Sequence, residues 1–245
     1  VVNSRGLRLA ARKHILYPDS NEIFVICHGV FTPMDSQFLP YLAENLNHNS
    51  FRFDFEGNGL SEGDFSFGNV WGQVDDLRVV VGYLQSQGFY VKGLIGYSKG
   101  ANVCLIYTSL YGGIDLTIVI ACEYYTRKAP YNVRHRINEL MEQGYVELKY
   151  FGKTYRYSIE DLKDKQSMDM EAVCKAFTGE AVVIQGLKDA VIHPINAPTL
   201  ASNLGLRCKE VFLIPDADHS YRKTAHLLLE AVNLSIRPQT PRARL

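Results

Sequence analysis

Val91-Lys92-Gly93-Leu94-Ile95-Gly96-Tyr97-Ser98-Lys99-Gly100-Ala101-Asn102 joins a strand pattern to a helix pattern through a glycine-flanked serine. A short apolar run ends in Gly96-Tyr97-Ser98-Lys99-Gly100, a G-x-S-x-G pentapeptide, and an apolar helical pattern follows over 101–110. Alone the pentapeptide says little. Between a strand pattern and a helix pattern it says more, because a strand–turn–helix bend holds its central serine outward on a strained backbone. Glycines on both sides let neighbouring backbone pass without a Cβ clash.

The same alternation runs outward in both directions. Apolar runs at 23–27, 51–55, 91–97, 116–122, 181–185 and 210–215 read as buried strands, each bounded by turn residues. Helical patterns occupy 70–87, 101–110, 197–204 and 224–236. This order predicts an α/β fold with a mostly parallel central sheet and helices on both faces. Residues 7–17 are expected to add an antiparallel edge hairpin. Residues 123–177 interrupt the rhythm with a helical pattern at 133–143 and strand-like pieces at 145–150 and 154–157. A structured insertion at the end of a strand reads as a small lid over a site. Its aromatic load (Tyr124, Tyr125, Tyr131, Tyr145, Tyr150, Phe151, Tyr155 and Tyr157) favours that reading. The expected organisation is a core of 1–122 and 178–236, a lid of 123–177 and a flexible polar tail of 237–245.

Composition narrows the function classes. The 245 residues are 47% hydrophobic, enough for a core without disulfides or metal. Lys+Arg and Asp+Glu are both 26, which argues against a general electrostatic grip on nucleic acid or on an anionic membrane. No apolar run reaches the roughly 18 residues of a membrane span. The five cysteines form no C-x-x-C pair, and Cys27, Cys104 and Cys122 lie in apolar runs, so buried free thiols in a reducing compartment are expected. No signal peptide is visible. The expected location is intracellular: cytoplasmic, or peroxisomal if the closing Ala243-Arg244-Leu245, similar to S-K-L, is a native terminus. No His, Cys or carboxylate cluster has metal-ligand spacing, and the turn around Asp54 and Glu56 lacks a dinucleotide fingerprint. Neither a metal nor a cofactor is expected.

A serine hydroxyl attacks a carbonyl only with a base in reach, and the base needs an orienting carboxylate. Asp189 follows the run at 181–185, and His219 follows the run at 210–215. Ser98, Asp189 and His219 therefore all lie just past the carboxyl ends of expected strands, which share one edge in a parallel sheet. Asp218 is the alternative acid. Backbone N–H groups should receive the charge that develops on the carbonyl oxygen. Lys99 at the helix start supplies one, and the turn His28-Gly29-Val30-Phe31 supplies the other, from Val30 with Phe31 as the near alternative. His28 reads as a structural hydrogen-bonding residue, and Lys99 as a solvated or acid-paired lysine, Glu123 being one candidate partner.

His28-Gly29, the segment 53–63, Gly96 to Gly100, Gly186 to Pro194 and Asp216 to His219 occur in an order that resembles the α/β-hydrolase fold superfamily. Within it the chain is similar to small-lidded serine esterases of the feruloyl/cinnamoyl-esterase-like group and their eukaryotic relatives. The likeness runs over residues 5–234 and implies Ser98 as nucleophile, His219 as base and Asp189 as acid. Gln185 departs from the pattern, standing where many relatives carry histidine.

The expectation is a serine hydrolase that cleaves carboxylic esters of a small, medium or aromatic acid through an acyl-enzyme, with a small-molecule ester as its partner. Phe31 and Tyr124 are expected to wall the substrate pocket. Two alternatives stay open: a thioesterase or acyltransferase with the same triad, or a ligand receptor on a hydrolase scaffold.

Overall fold

Seven strands form one sheet in the order β1-β3-β2-β4-β5-β8-β9, and a separate pair, β6-β7, stands apart. The structure, a computed structural model, describes residues 1–150 and 152–236, and nothing of the side chain at 131. The tail 237–245, with Ala243-Arg244-Leu245, lies outside the described residues. Among these residues no helix is long and apolar enough to cross a membrane.

The chain opens with β1 (Ala11–His14), β2 (Glu22–Cys27), a short α1 (Leu39–Asn45) and β3 (Asn49–Phe53). It continues through α2 (Val70–Ser86), β4 (Tyr90–Tyr97), α3 (Lys99–Tyr111) and β5 (Leu116–Ile120). After a long excursion come β8 (Glu180–Gly186), α8 (Asn196–Leu204), β9 (Cys208–Ile214) and α9 (Ala225–Ser235). Within the seven-stranded sheet every pairing from β3 across to β9 is parallel, and β1 alone runs antiparallel, against β3. The central strands β2, β4, β5 and β8 are buried on both faces, as their apolar runs require, whereas the edge strands β1 and β9 are largely exposed. Alternation sorts them. Ile23, Val25 and Cys27 face a core shared with α2, α3, α7 and α8, while Phe24 and Ile26 face the core under α1 and α9.

The expected sheet, its helices and its order are present, with local corrections. Residues 7–17 form one edge strand, not a hairpin in the sheet. The backbone before β1 is drawn to the glycine-rich turn instead, where Glu62 N–H donates to Arg8 O and Ala10 N–H donates to Ser61 Oγ. β3 starts at Asn49 because that side chain ties together 16–22, accepting from the N–H groups of Leu16 and Tyr17. It ends at Phe53 because Phe55 N–H turns to His28 Nε2, 3.0 Å away. β5 stops at Ile120, where Ala121 takes a left-handed φ of 50°.

The excursion contains α4 (Tyr131–Arg134), α5 (Ile137–Gln143), the antiparallel pair β6 (Tyr145–Tyr150) and β7 (Lys153–Ser158), α6 (Ile159–Gln166) and α7 (Met170–Ala176). The helix expected at 133–143 is broken at Arg136, whose guanidinium is tied to Glu139 and to Glu147 O. Val133, Leu140, Val146, Leu148, Tyr157 and Leu162 build a small core of their own. Met168, Met170, Cys174 and Phe177 belong instead to the main core. The excursion thus packs around a small core of its own, and its last helix returns to the body.

Leu140→Ala should open a cavity in the small core at a local cost of about 2–5 kcal/mol. Hydrogen exchange should then quicken over 129–162 while β2, β4 and β5 stay protected. Equal loss of protection in those strands would show that the small core of the insertion does not pack independently.

Candidate active site

Ser98 carries φ 53° and ψ −121°, outside the helical and extended regions. A residue held there costs about 1–3 kcal/mol, so its surroundings must enforce it. They do so by contact. Its N–H donates to Ile120 O at 2.8 Å, which holds the bend against β5. A Cβ on Gly100 would lie 2.4 Å from His28 O, so α3 begins directly against the end of β2. A Cβ on Gly29 would lie 2.9 Å from Ser98 Cβ, which sets the 28–31 turn beside the serine.

The neighbouring strand ends are laced sideways. Ala121 N–H donates to Ile184 O, and Leu187 N–H donates to Ile214 O. A Cβ on Gly186 would meet Ala217 O at 2.4 Å, so the loops after β8 and β9 are pressed together. Asp189 and His219 stand on those loops. His219 Nδ1 lies 2.8 Å from Asp189 Oδ2. The buried carboxylate has its other oxygen, Oδ1, engaged by the N–H groups of Val191 and Ile192, both at 2.8 Å. An ionised carboxylate only accepts, so Nδ1 carries the proton and Nε2 is left as the basic nitrogen.

The loop after β9 folds back across the sheet edge to β4. Tyr97 O–H donates to His219 O at 2.7 Å, and the two rings lie 5.2 Å apart. Tyr97 directly precedes Ser98. Phe38 and Tyr221 pack under it, with Phe38 4.9 Å from Tyr97 and 5.6 Å from Tyr221. Burial pushes the phenols of Tyr97 and Tyr221 well above their ordinary value, so both stay neutral. Ser98 forms no hydrogen bond to His219 among the described residues. Catalytic hydrogen bonds without substrate are often long and tighten on binding.

On the opposite side, Gly29 N–H donates to Thr32 Oγ1, and Phe31 has φ 56°. Among the described residues the N–H groups of Val30 and Lys99 donate to no protein acceptor. His28 is buried, accepting from Phe55 N–H at Nε2 and donating from Nδ1 to Gly29 O. Burial holds its pKa below the ordinary value, so it braces the turn as a neutral ring. Asp54 braces the same edge by accepting from the N–H groups of Met34 and Leu60. Asp218 is exposed and takes Ser220 Oγ–H, not His219.

Lys99 does not pair with Glu123, which is held by Lys165 at 3.0 Å. Its ammonium donates to Phe67 O at 2.9 Å and to Gly68 O. Although the residue as a whole is only partly buried, that ammonium sits beneath the 66–70 loop. Desolvation brings it from the ordinary 10.5 down to about 8, against the pull of Asp164 and Asp161. Those two acids lie on α6 and grip the same loop from above. Asp161 accepts from Ser66 Oγ and Gly68 N–H, and Asp164 accepts from Val70 N–H.

Phe31 projects into an aromatic cluster of Phe65 at 4.8 Å, Phe67 at 5.3 Å, Tyr150 at 4.6 Å and Tyr155 at 4.7 Å. Phe65 and Phe67 lie in a polar loop outside the insertion, where no sequence pattern marks them as neighbours of Phe31. Tyr124 packs on the main core beside Tyr125, and no described contact joins it to Ser98 or His219. All five cysteines are free, and all but Cys208 are buried. No group of three or more potential metal ligands occurs among the described residues.

No protein-family model and no curated protein matches the chain. Solved structures do. Est1E from Butyrivibrio proteoclasticus, solved with ferulic acid bound, is similar at TM-score 0.75 and 18% identity, covering 96% of both chains. The mouse alpha/beta hydrolase domain-containing protein 10 is similar at TM-score 0.70 and 16% identity, again over 96% of both. The esterase Pf2001 of Pyrococcus furiosus is similar at TM-score 0.72 and 17% identity, over 96% of this chain and 88% of its own. The chain has the α/β-hydrolase fold, and the resemblance read from its motifs is borne out at that level.

The lowered value of Lys99 has a measurable consequence. Between about pH 8 and 10.5 the unfolded chain binds the extra proton, so stability attributable to Lys99 rises with pH across that window. The stability difference between the natural protein and Lys99→Met, from urea melts, should be flat below the window. It should grow in favour of the natural protein through it. A difference that stays flat throughout would contradict a desolvated ammonium.

Proposed function

We propose that the protein is a serine hydrolase acting on carboxylic esters through an acyl-enzyme. Ser98 is the nucleophile. His219 Nε2 takes its proton, and Asp189 holds the imidazole and balances the charge it gains. The hydroxyl oxygen bonds to the ester carbonyl carbon, and the carbonyl oxygen becomes an anion between the N–H groups of Val30 and Lys99. The imidazolium then protonates the departing alkoxide, and the acyl group stays on Ser98. Water repeats the sequence, giving its proton to His219 and releasing the acid.

The observation that carries this reading is the 2.8 Å contact between His219 Nδ1 and Asp189 Oδ2. It fixes the tautomer that a general base needs, on a loop bonded to the residue before Ser98. The strained backbone at Ser98 supports it further, because a bend held at such cost belongs with a working residue. The two unengaged N–H groups are worth about 3 kcal/mol of barrier each when aimed at the developing oxyanion.

The segment 123–177 supplies a cap over this edge. Phe31, Phe65, Phe67, Tyr150 and Tyr155 are proposed to form the acyl pocket, which suits an aromatic or medium-chain acid. The ferulic acid bound by Est1E, itself an aromatic acid, supports that choice.

A fluorophosphonate probe should label Ser98 and no other serine, and Ser98→Ala should abolish both the labelling and ester turnover. Labelling that persists in the variant would contradict the assignment. Asp189→Asn should lower kcat about ten-thousandfold, because the amide imposes the wrong imidazole tautomer. Near-normal turnover would transfer the acid's role elsewhere. Across p-nitrophenyl esters, aryl and medium-chain acyl groups should outrun acetate, and Phe65→Ala should narrow that gap. Unchanged ranking would remove the aromatic cluster from the pocket.

A further inference from the structure

Gln185 is the last buried side chain of β8 before Gly186, and its amide points at the acid. Nε2 lies 3.3 Å from Asp189 Oδ2, 3.2 Å from Ile192 O and 3.1 Å from Gly186 O. All three neighbours are acceptors, so this end of the amide must be the NH2 group. The oxygen it approaches is the one bonded to His219 Nδ1. Counting contacts, Asp189 Oδ1 takes two backbone N–H groups and Oδ2 takes the imidazole and the amide. A carboxylate offers about four such lone-pair positions, so each has a donor.

We infer that Gln185 is a positioning residue for the acid of this site. It anchors the 189–192 loop through Ile192 O and orients the Asp189 carboxylate toward His219. It also draws electron density from the oxygen that faces the imidazole. The inference rests on the proposed roles of Asp189 and His219.

Gln185 carries no charge, so its replacement leaves the other ionisable groups of the locality in place. These are Tyr97 on β4, Tyr221 and Asp218 after β9, and the exposed Lys188–Asp216 pair outside them. Without the amide donor, Oδ2 holds an imidazolium more strongly. The base then stays protonated to higher pH.

The test is Gln185→Met, which keeps bulk and removes the donor. The expected result is a kcat lowered roughly tenfold or more, with KM little changed. The acid limb of the kcat/KM profile should shift to higher pH, which loosened packing alone would not produce. A folded variant with unaltered kcat and an unaltered limb would overturn the inference. Should that variant fail to fold, the natural protein answers by NMR. The 15N-labelled side-chain amide of Gln185 should exchange slowly and shift as His219 titrates. A rapidly exchanging, unresponsive amide would overturn the inference. Failure of the hydrolase reading has a different signature, namely turnover or probe labelling that survives Ser98→Ala. An enzyme dependent on Ser98 yet indifferent to Gln185→Met would sink this inference alone.

Discussion

A backbone bend that serine does not choose unaided governs this molecule. Ser98 is held at φ 53° between the end of β4 and the first turn of α3, and three packed segments enforce it. β5 accepts its N–H, the 28–31 turn crowds its Cβ, and the end of β2 lies against Gly100. None of these contacts tolerates a larger residue at Gly29 or Gly100. The strain is therefore balanced by the packing of a whole sheet edge, which is why the site needs the complete fold. Parallel pairing from β3 to β9 brings the strand ends to that edge. The lateral hydrogen bonds beyond the strands then fasten the loops that carry Asp189 and His219.

The insertion is joined to this bend through one stretch of backbone, 66–70. Lys99 holds it from below by the carbonyls of Phe67 and Gly68. Asp161 and Asp164 hold it from above by hydroxyl and backbone N–H donors. Lys99 and Asp161 thus grip opposite poles of the Phe67–Gly68 peptide without forming an ion pair among the described residues. Phe67, borne by that stretch, packs on the small core of the insertion and against Phe31 of the proposed oxyanion turn, so one loop joins the two.

Strong, local signals made much of this legible in the sequence. Continuous apolar runs bounded by turns gave the central strands, and glycine-flanked Ser98 gave the bend. Asp189 and His219 were readable because each follows its own strand. The short helices were harder. α6 and α7 are each opened by an N-cap side chain, Ser158 in a capping box with Asp161 and Asp169 accepting from Ala172 N–H. Those polar signals were present but carry weaker periodicity than a long amphipathic face. The partner of Lys99 was not readable, because backbone carbonyls bear no residue identity. Nor could spacing reveal that Phe65 and Phe67, outside the insertion, would complete an aromatic cluster with it.

In the proposed reaction Ser98, His219 and the two unengaged N–H groups act on one tetrahedral centre. A crystal structure of the phosphonylated protein tests it most directly, because the phosphonyl group mimics that centre. The prediction is phosphorus bonded to Ser98 Oγ, its oxygen accepting from Val30 and Lys99 N–H, and His219 Nε2 in hydrogen-bond reach of the serine oxygen. An adduct on another residue, or an imidazole turned away while its bond to Asp189 persists, would contradict it.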